Sequence, residues 1–124
     1  MGRMFGEGKT DYEKYVRTQD LYRAMKGPQE WANEEECLFQ VTHMAMELWL
    51  SVTIQHLDQA VTWMKSGELR GAARMLRRGA NIVDMLLDSL RHLEDMSPWS
   101  YHAIRVTLGQ GSGQQSPTFN HLLE

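Results

Sequence analysis

LFQVTHMAMELW, Leu38 to Trp49, is almost wholly apolar, yet an imidazole, His43, sits at its centre. Phe39 lies four residues before it and Glu47 four after. Leu38, Val41, Ala45, Leu48 and Val52 recur at three- and four-residue steps, and Leu57, Val61 and Met64 continue the pattern. That is the period of a helix with one apolar face. The spacing predicts a helix over about Asn33 to Lys65. Asn33 with Glu36 fits a cap, the acids at Glu34 to Glu36 suit a helix N-terminus, and Ser66-Gly67 breaks the pattern.

Beyond that break the same period resumes over about Glu68 to Asp95, through Leu69, Ala73, Leu76, Ala80, Val83, Leu87 and Leu90. Two long amphipathic helices joined by a tight turn are expected to pair antiparallel, with these stripes as their core faces. Before them, Thr10 with Glu13 fits a capping box for a helix from Thr10 to about Met25, stopped by Gly27-Pro28. Tyr12, Tyr15, Val16 and Tyr22 give it an aromatic side. After them, Ser97-Pro98 opens a fourth helix ending near Gly109, and Ser116-Pro117 opens a last short one behind the loop GQGSGQQ. No strand pattern stands out. The expected fold is all-α, a helical bundle with two long antiparallel helices. Residues 1–9 read as a loose, glycine-rich arm and 10–124 as a single domain.

The chain has 124 residues, 42% of them hydrophobic and 23% charged, which suits one globular domain. Its net charge of −3 argues against non-specific nucleic-acid binding. Arg70, Arg74, Arg77 and Arg78 read as a solvated face. Cys37 is the only cysteine, so an internal disulfide is excluded and a reducing, cytoplasmic setting is the simplest reading. No uninterrupted 18-residue apolar run indicates a membrane span. Nine methionines and four tryptophans can line a cavity for a flat ligand or fill an irregular core.

Few residues could carry chemistry. Phe39, His43 and Glu47 share a helix side at the edge of the core stripe. His43 is then either a core-edge histidine bonded to a neighbour or a group facing a cavity; a metal pair with Glu47 lacks further ligands. Tyr101 and Arg105 form a second pair four residues apart, and an arginine can clamp a carboxylate with two parallel hydrogen bonds. The glycines of the loop Gly109 to Gln115 let its backbone approach a ligand closely, although no phosphate-loop lysine accompanies them.

Taken in order, these signals resemble the tryptophan 2,3-dioxygenase family. LFQVTHMAMELW resembles its Phe-x-x-x-His pair followed by Glu-Leu-Trp. SPWSYHAIRVTLGQGSGQQSPTFNHLLE resembles its Tyr-x-x-x-Arg helix and Ser-Gly-x-Gln-Ser loop, and TDYEKYV its Thr-Tyr-x-x-Tyr-Leu opening. The resemblance runs from about Thr10 to Glu124. It implies an all-α, homotetrameric, haem b protein that inserts O₂ across the indole C2–C3 bond of L-tryptophan, giving N-formylkynurenine. It implies that His43 accepts a hydrogen bond from the indole N–H and that Phe39 packs on the ring. Arg105, supported by Tyr101, would hold the carboxylate. Ser112 and Gly113 would run along the haem edge, and Tyr12, Tyr15 and Val16 would reach a neighbouring subunit's pocket. The family's proximal iron ligand comes from helices after this region, and His56, His92, His102 and His121 do not match its motif, so the metal ligand is unassigned. The chain would act as a homo-oligomer, dimer or tetramer, or be completed by a second subunit. The alternative function is a non-catalytic helical assembly protein.

Overall fold

The computed structural model describes residues 3–109 and 111–124; Met1 and Gly2 of the expected arm, and Gln110 of the loop, lie outside the described residues. In chain order the helices are α1 (Asp11–Val16), α2 (Thr18–Ala24), α3 (Glu36–Lys65), α4 (Leu69–Ser89), α5 (Arg91–Glu94), α6 (Pro98–Leu108) and α7 (Pro117–Leu123), with no strand among the described residues. The fold is all-α, as the periodicity predicts.

α3 and α4 form the frame. Gly67, at φ +85, makes the turn between them in a conformation that favours glycine. They then run antiparallel, with Ala60, Ala72 and Met75 buried together and Trp63 packed against them. Gly71 is required there: a Cβ on it would lie 2.5 Å from Trp63 Cε3. Further along, the Gly79 backbone faces Leu57 and Thr53.

The buried faces are not the expected stripes. On α4, Leu69, Leu76, Val83, Leu87 and Leu90 are exposed, as are Ala73 and Ala80; the chain buries Ala72, Met75, Gly79 and Leu86 instead. On α3, Leu38, Val41 and Leu48 are exposed, and Thr42, Leu50, Thr53 and Ala60 are buried. Periodicity finds an apolar surface without saying what covers it. Small residues let two helix backbones approach closely, and the intrachain contact takes alanine, glycine and threonine together with the larger Met75 and Leu86. The threonines look polar in sequence but bury cheaply. Thr42 Oγ1 donates to Leu38 O and Thr53 Oγ1 to Trp49 O, so neither hydroxyl is left unmatched. α3 is also long and apolar enough, by length and composition, to cross a membrane. Here one of its sides packs on α4 and another carries the bonded Glu36 and Glu47.

The other helices depart locally from expectation. The first helix is two, because Arg17 takes the left-handed conformation at φ 62. Arg17 N still donates to Glu13 O and Leu21 N to Arg17 O, on either side of the bend. The bend leaves Tyr12 and Tyr15 exposed and sends Tyr22 against Phe5, with Gln19 Nε2 donating to the carbonyls of Phe5 and Gly6. The third tightens at Leu90, where Leu93 N donates three residues back, so α5 turns off from α4. Ser97 and Ser116 cap α6 and α7 as predicted.

Two carboxylates tie the ends to α3. Glu36, buried, accepts from Lys26 Nζ at 2.8 Å and from Ala32 N at 2.7 Å, fixing the approach to the helix. Burial alone raises its pKa, but the Lys26 hydrogen bond, the Ala32 amide and the Lys26 charge together hold it below the usual value. Glu47 accepts from Ser116 Oγ at 2.7 Å, from Thr118 Oγ1 and from Thr118 N, so the first turn of α7 is bonded to the middle of α3. The Ser116 and Thr118 hydrogen bonds lower its pKa against a smaller burial effect.

Gly71→Ala would gain about 1 kcal/mol in helix propensity but force Trp63 to move, at about 1–3 kcal/mol. A net fall in melting temperature is expected; a rise would show that the Trp63 contact adapts freely. Both carboxylates have folded pKa values below the unfolded one, near 4.3. Their stabilisation is therefore present above that pH and is lost as pH falls through the folded values. Glu47→Gln should lower stability at pH 7 by about 1–3 kcal/mol and flatten its decline below about pH 4.5. Melting followed by circular dichroism from pH 3 to 7 checks both parts.

Candidate functional site

One side of α3 presents Phe39, His43 and Glu47 at four-residue steps, and all three line a cavity of about 890 Å³. Tyr101 and Arg105 line it from α6, and the loop of Gly111 to Ser116 forms another wall. Lys26, Gln40, Met44, Met46, Leu50, Leu93, Leu108 and Phe119 complete much of the lining, which is mostly apolar with polar groups at intervals. Such a surface suits a small aromatic ligand held by a few directed contacts.

His43 is oriented by its own helix. Its Nδ1 lies 2.8 Å from Phe39 O. A carbonyl oxygen only accepts, so Nδ1 carries the proton and Nε2 of the neutral ring is an acceptor. The ring rests on Phe39 with centroids 4.5 Å apart, and Phe39 meets Tyr101 edge-on at 6.1 Å. The three rings thus join α3 to α6. Asn33 Nδ2 donates to Ser100 O, and Ile104 is fully buried, which fixes α6 in this position.

Arg105 donates from one terminal nitrogen to Gly111 O. The guanidinium has five N–H groups, so most of its donor capacity is open to an anion. Gly111 is crowded: a Cβ there would lie 3.2 Å from Leu108 O. Gly113 is the opposite case, with nothing within 4 Å of where its Cβ would sit. Open space beside that backbone leaves room for the edge of a ligand. Ser112 Oγ accepts from Gln114 N, and Gln115 Oε1 accepts from Ser112 N, so the loop holds its own shape.

Six of the residues singled out in sequence, Phe39, His43, Tyr101, Arg105, Ser112 and Gly113, therefore surround one hollow. Tyr12, Tyr15 and Val16 do not reach it; Tyr12 and Tyr15 point into solvent and Val16 is half-buried. His43 is the one histidine on the cavity wall among the described residues, and no group of three or more histidine, cysteine or acidic side chains there could hold a metal ion. Lys26 and Leu93 were missed, since they reach the cavity only through long-range contacts; Gln40 was missed although it follows Phe39 on the same helix. Phe119 was missed too, although the Ser116-Pro117 cap already placed its helix.

The family model described as "Tryptophan 2,3-dioxygenase" matches residues 2–124. Tryptophan 2,3-dioxygenase of Xanthomonas oryzae pv. oryzae (strain PXO99A) is 29% identical over 116 residues, covering 94% of this chain and 39% of the relative. The enzyme of that name from Xanthomonas campestris pv. campestris (strain B100) matches to the same extent. That of Pseudomonas aeruginosa (strain UCBPP-PA14) is 37% identical over 90 residues, 73% of this chain and 31% of the relative. The chain thus spans about two-fifths or less of the length of these relatives. With the family model matched from Gly2 to Glu124, the chain belongs to the tryptophan 2,3-dioxygenase family.

Proposed function

We propose that this chain provides the substrate-recognising side of a haem-dependent dioxygenase site that oxidises L-tryptophan or a related indole amino acid. The observation that carries the reading is the orientation of His43. Its Nδ1 is committed to Phe39 O, which leaves an acceptor nitrogen at the wall of an aromatic cavity with Arg105 on a facing helix.

Each side chain then has a defined task. Arg105 pairs with the substrate carboxylate, and Tyr101 stands one helical turn away to support it. Phe39 packs against the indole ring. His43 Nε2 accepts from the indole N–H, which would otherwise be buried unmatched at a cost of about 1–3 kcal/mol. That is enough to prefer an indole over a ring lacking the N–H by about fivefold or more. Two anchors at opposite ends of the ligand fix the ring's position, and positioning is the protein's main contribution beside a redox cofactor.

The lining fits one face of a haem. It offers an apolar wall, with open space beside Gly113 and Ser112 next to it, for the macrocycle's edge. Haem iron, when bound, supplies the O₂ chemistry. With His43 assigned to the substrate, a residue from outside this cavity wall would hold the iron. Tyr12, Tyr15 and Val16, which do not reach this chain's cavity, would contribute to a neighbouring subunit's pocket. A cytoplasmic location follows from the same reading.

Ferrous haem titrated into the purified protein should shift the Soret band, and L-tryptophan should shift it again. With O₂ present, N-formylkynurenine would show complete catalysis. Absence of any shift, alone and with added partner subunit, overturns the reading. Arg105→Ala should weaken L-tryptophan binding by about tenfold or more while changing indole binding far less; equal losses would contradict the carboxylate role. Wild type should prefer tryptophan over its N1-methyl derivative, and His43→Ala should abolish that preference. A preference that survives the substitution removes His43 as the N–H acceptor.

A further inference from the structure

A second hollow, of about 700 Å³, opens where α3 turns into α4. Trp63 reaches it from the end of α3, and Gly71 and Ala73 form its floor on α4. Arg70, Arg74 and Arg77 stand on its wall. From His43 to Trp63 α3 rises about 30 Å, so this hollow is remote from the cavity that Phe39 and Arg105 line.

The three arginines recur at four- and three-residue steps, which places them along one side of α4. The sequence pattern reads them as a solvated face; the structure adds a ring beside them. None of the three forms an ion pair or a side-chain hydrogen bond among the described residues. Glu68, on the same wall, is equally unpaired. Three positive charges thus face the hollow against one negative, on a chain whose net charge is −3. Like charges four residues apart on a helix repel, and nothing within the chain offsets that repulsion here. Trp63 is half-buried, packed on Ala60, Ala72 and Met75, with its six-membered ring close over Gly71. The ring is therefore held in place by the core while part of it borders the hollow.

We infer that this hollow binds an aromatic polyphosphate, the chemical class of the nucleoside di- and triphosphates. A guanidinium group takes phosphate oxygens through two parallel hydrogen bonds. From Arg70 to Arg77 the helix rises about 10 Å, a length that suits a chain of phosphates rather than a single one. The indole of Trp63 offers a fixed surface on which a base stacks. Glu68 only accepts when ionised; it repels phosphate at its own end and suits the hydroxyl donors of a sugar. A ring without phosphates would leave the guanidinium groups unmatched, and phosphates without a ring would leave Trp63 unused. The inference is independent of what the cavity beside His43 binds.

Calorimetric titration of the full chain with ATP, adenosine and inorganic tripolyphosphate reads ring and phosphates separately. ATP should bind more tightly than either of the others by about fivefold or more. R74Q should weaken both ATP and tripolyphosphate by about tenfold. R78Q removes the same charge from the same helix, but Arg78 is off the wall of the hollow, and it should change neither. Both side chains are exposed, so the helical circular dichroism of the two variants should match wild type. Absence of ATP binding overturns the inference. So does tripolyphosphate or adenosine binding as tightly as ATP, since one half of the hollow would then be idle. Equal losses in R74Q and R78Q would show attraction to diffuse charge rather than a site. Haem and tryptophan spectra report on the other cavity, so failure of one reading is distinguishable from failure of the other.

Discussion

The carboxylate of Glu47 closes the site. Three donors from the first turn of α7 converge on it: the Ser116 hydroxyl, the Thr118 hydroxyl and the Thr118 amide. Without those bonds α7 has no other polar tie to α3 among the described residues. Hydrogen bonds to a charged acceptor contribute about 1.5–3 kcal/mol each at best, enough to hold a seven-residue helix that buries none of its own residues. The consequence reaches the cavity. The loop of Gly111 to Gln115 is strung between α6 and that fixed point, with Arg105 gripping Gly111 O at one end and Glu47 gripping Ser116 at the other. Asn120 Nδ2, donating to Gln114 O, adds a third tie between α7 and this wall.

The same economy shapes the other side. Glu36 ties Lys26 and Ala32 to the start of α3, three residues before Phe39. The rigid element is α3 itself, and Glu36, Phe39, His43 and Glu47 are spaced along one side of it. A ligand in the cavity would therefore meet groups on α3 whose separations are set by helix geometry. Placing a binding constellation on a long helix, rather than on loops, is what keeps such separations fixed.

How much of this could be read in sequence depends on how local the cause was. Phe39, His43 and Glu47 share a face because of four-residue spacing, and the caps at Thr10, Ser97 and Ser116 are three-residue patterns; all are local, and all were legible. The bend at Arg17 was not, because neither glycine nor proline marks it. The buried face of α4 was not, for a more general reason. Leu69, Leu76, Val83 and Leu87 are the strongest apolar signal in that helix, and alanine, glycine and methionine make the weaker one. Yet the residues α4 buries within the chain are Ala72, Met75, Gly79 and Leu86. Apolar strength measures how much surface wants to leave water, not which neighbour removes it.

That distinction bears on what the chain is for. A helix apolar on two sides, as α4 is, serves two contacts: one made within the chain, the other open. α3 shows the same division, with Leu38, Val41 and Leu48 outside and Thr42, Leu50 and Thr53 inside. Burying each exposed leucine contributes on the order of 1.5–3 kcal/mol, so several together would outweigh the stability that a two-helix frame of small residues provides. The α3–α4 hairpin carries the cavity wall on one side of α3, and its outer faces stay exposed. Cavity wall and open face lie on separate helices: His43 lines the cavity from α3, while Val83 is exposed on α4.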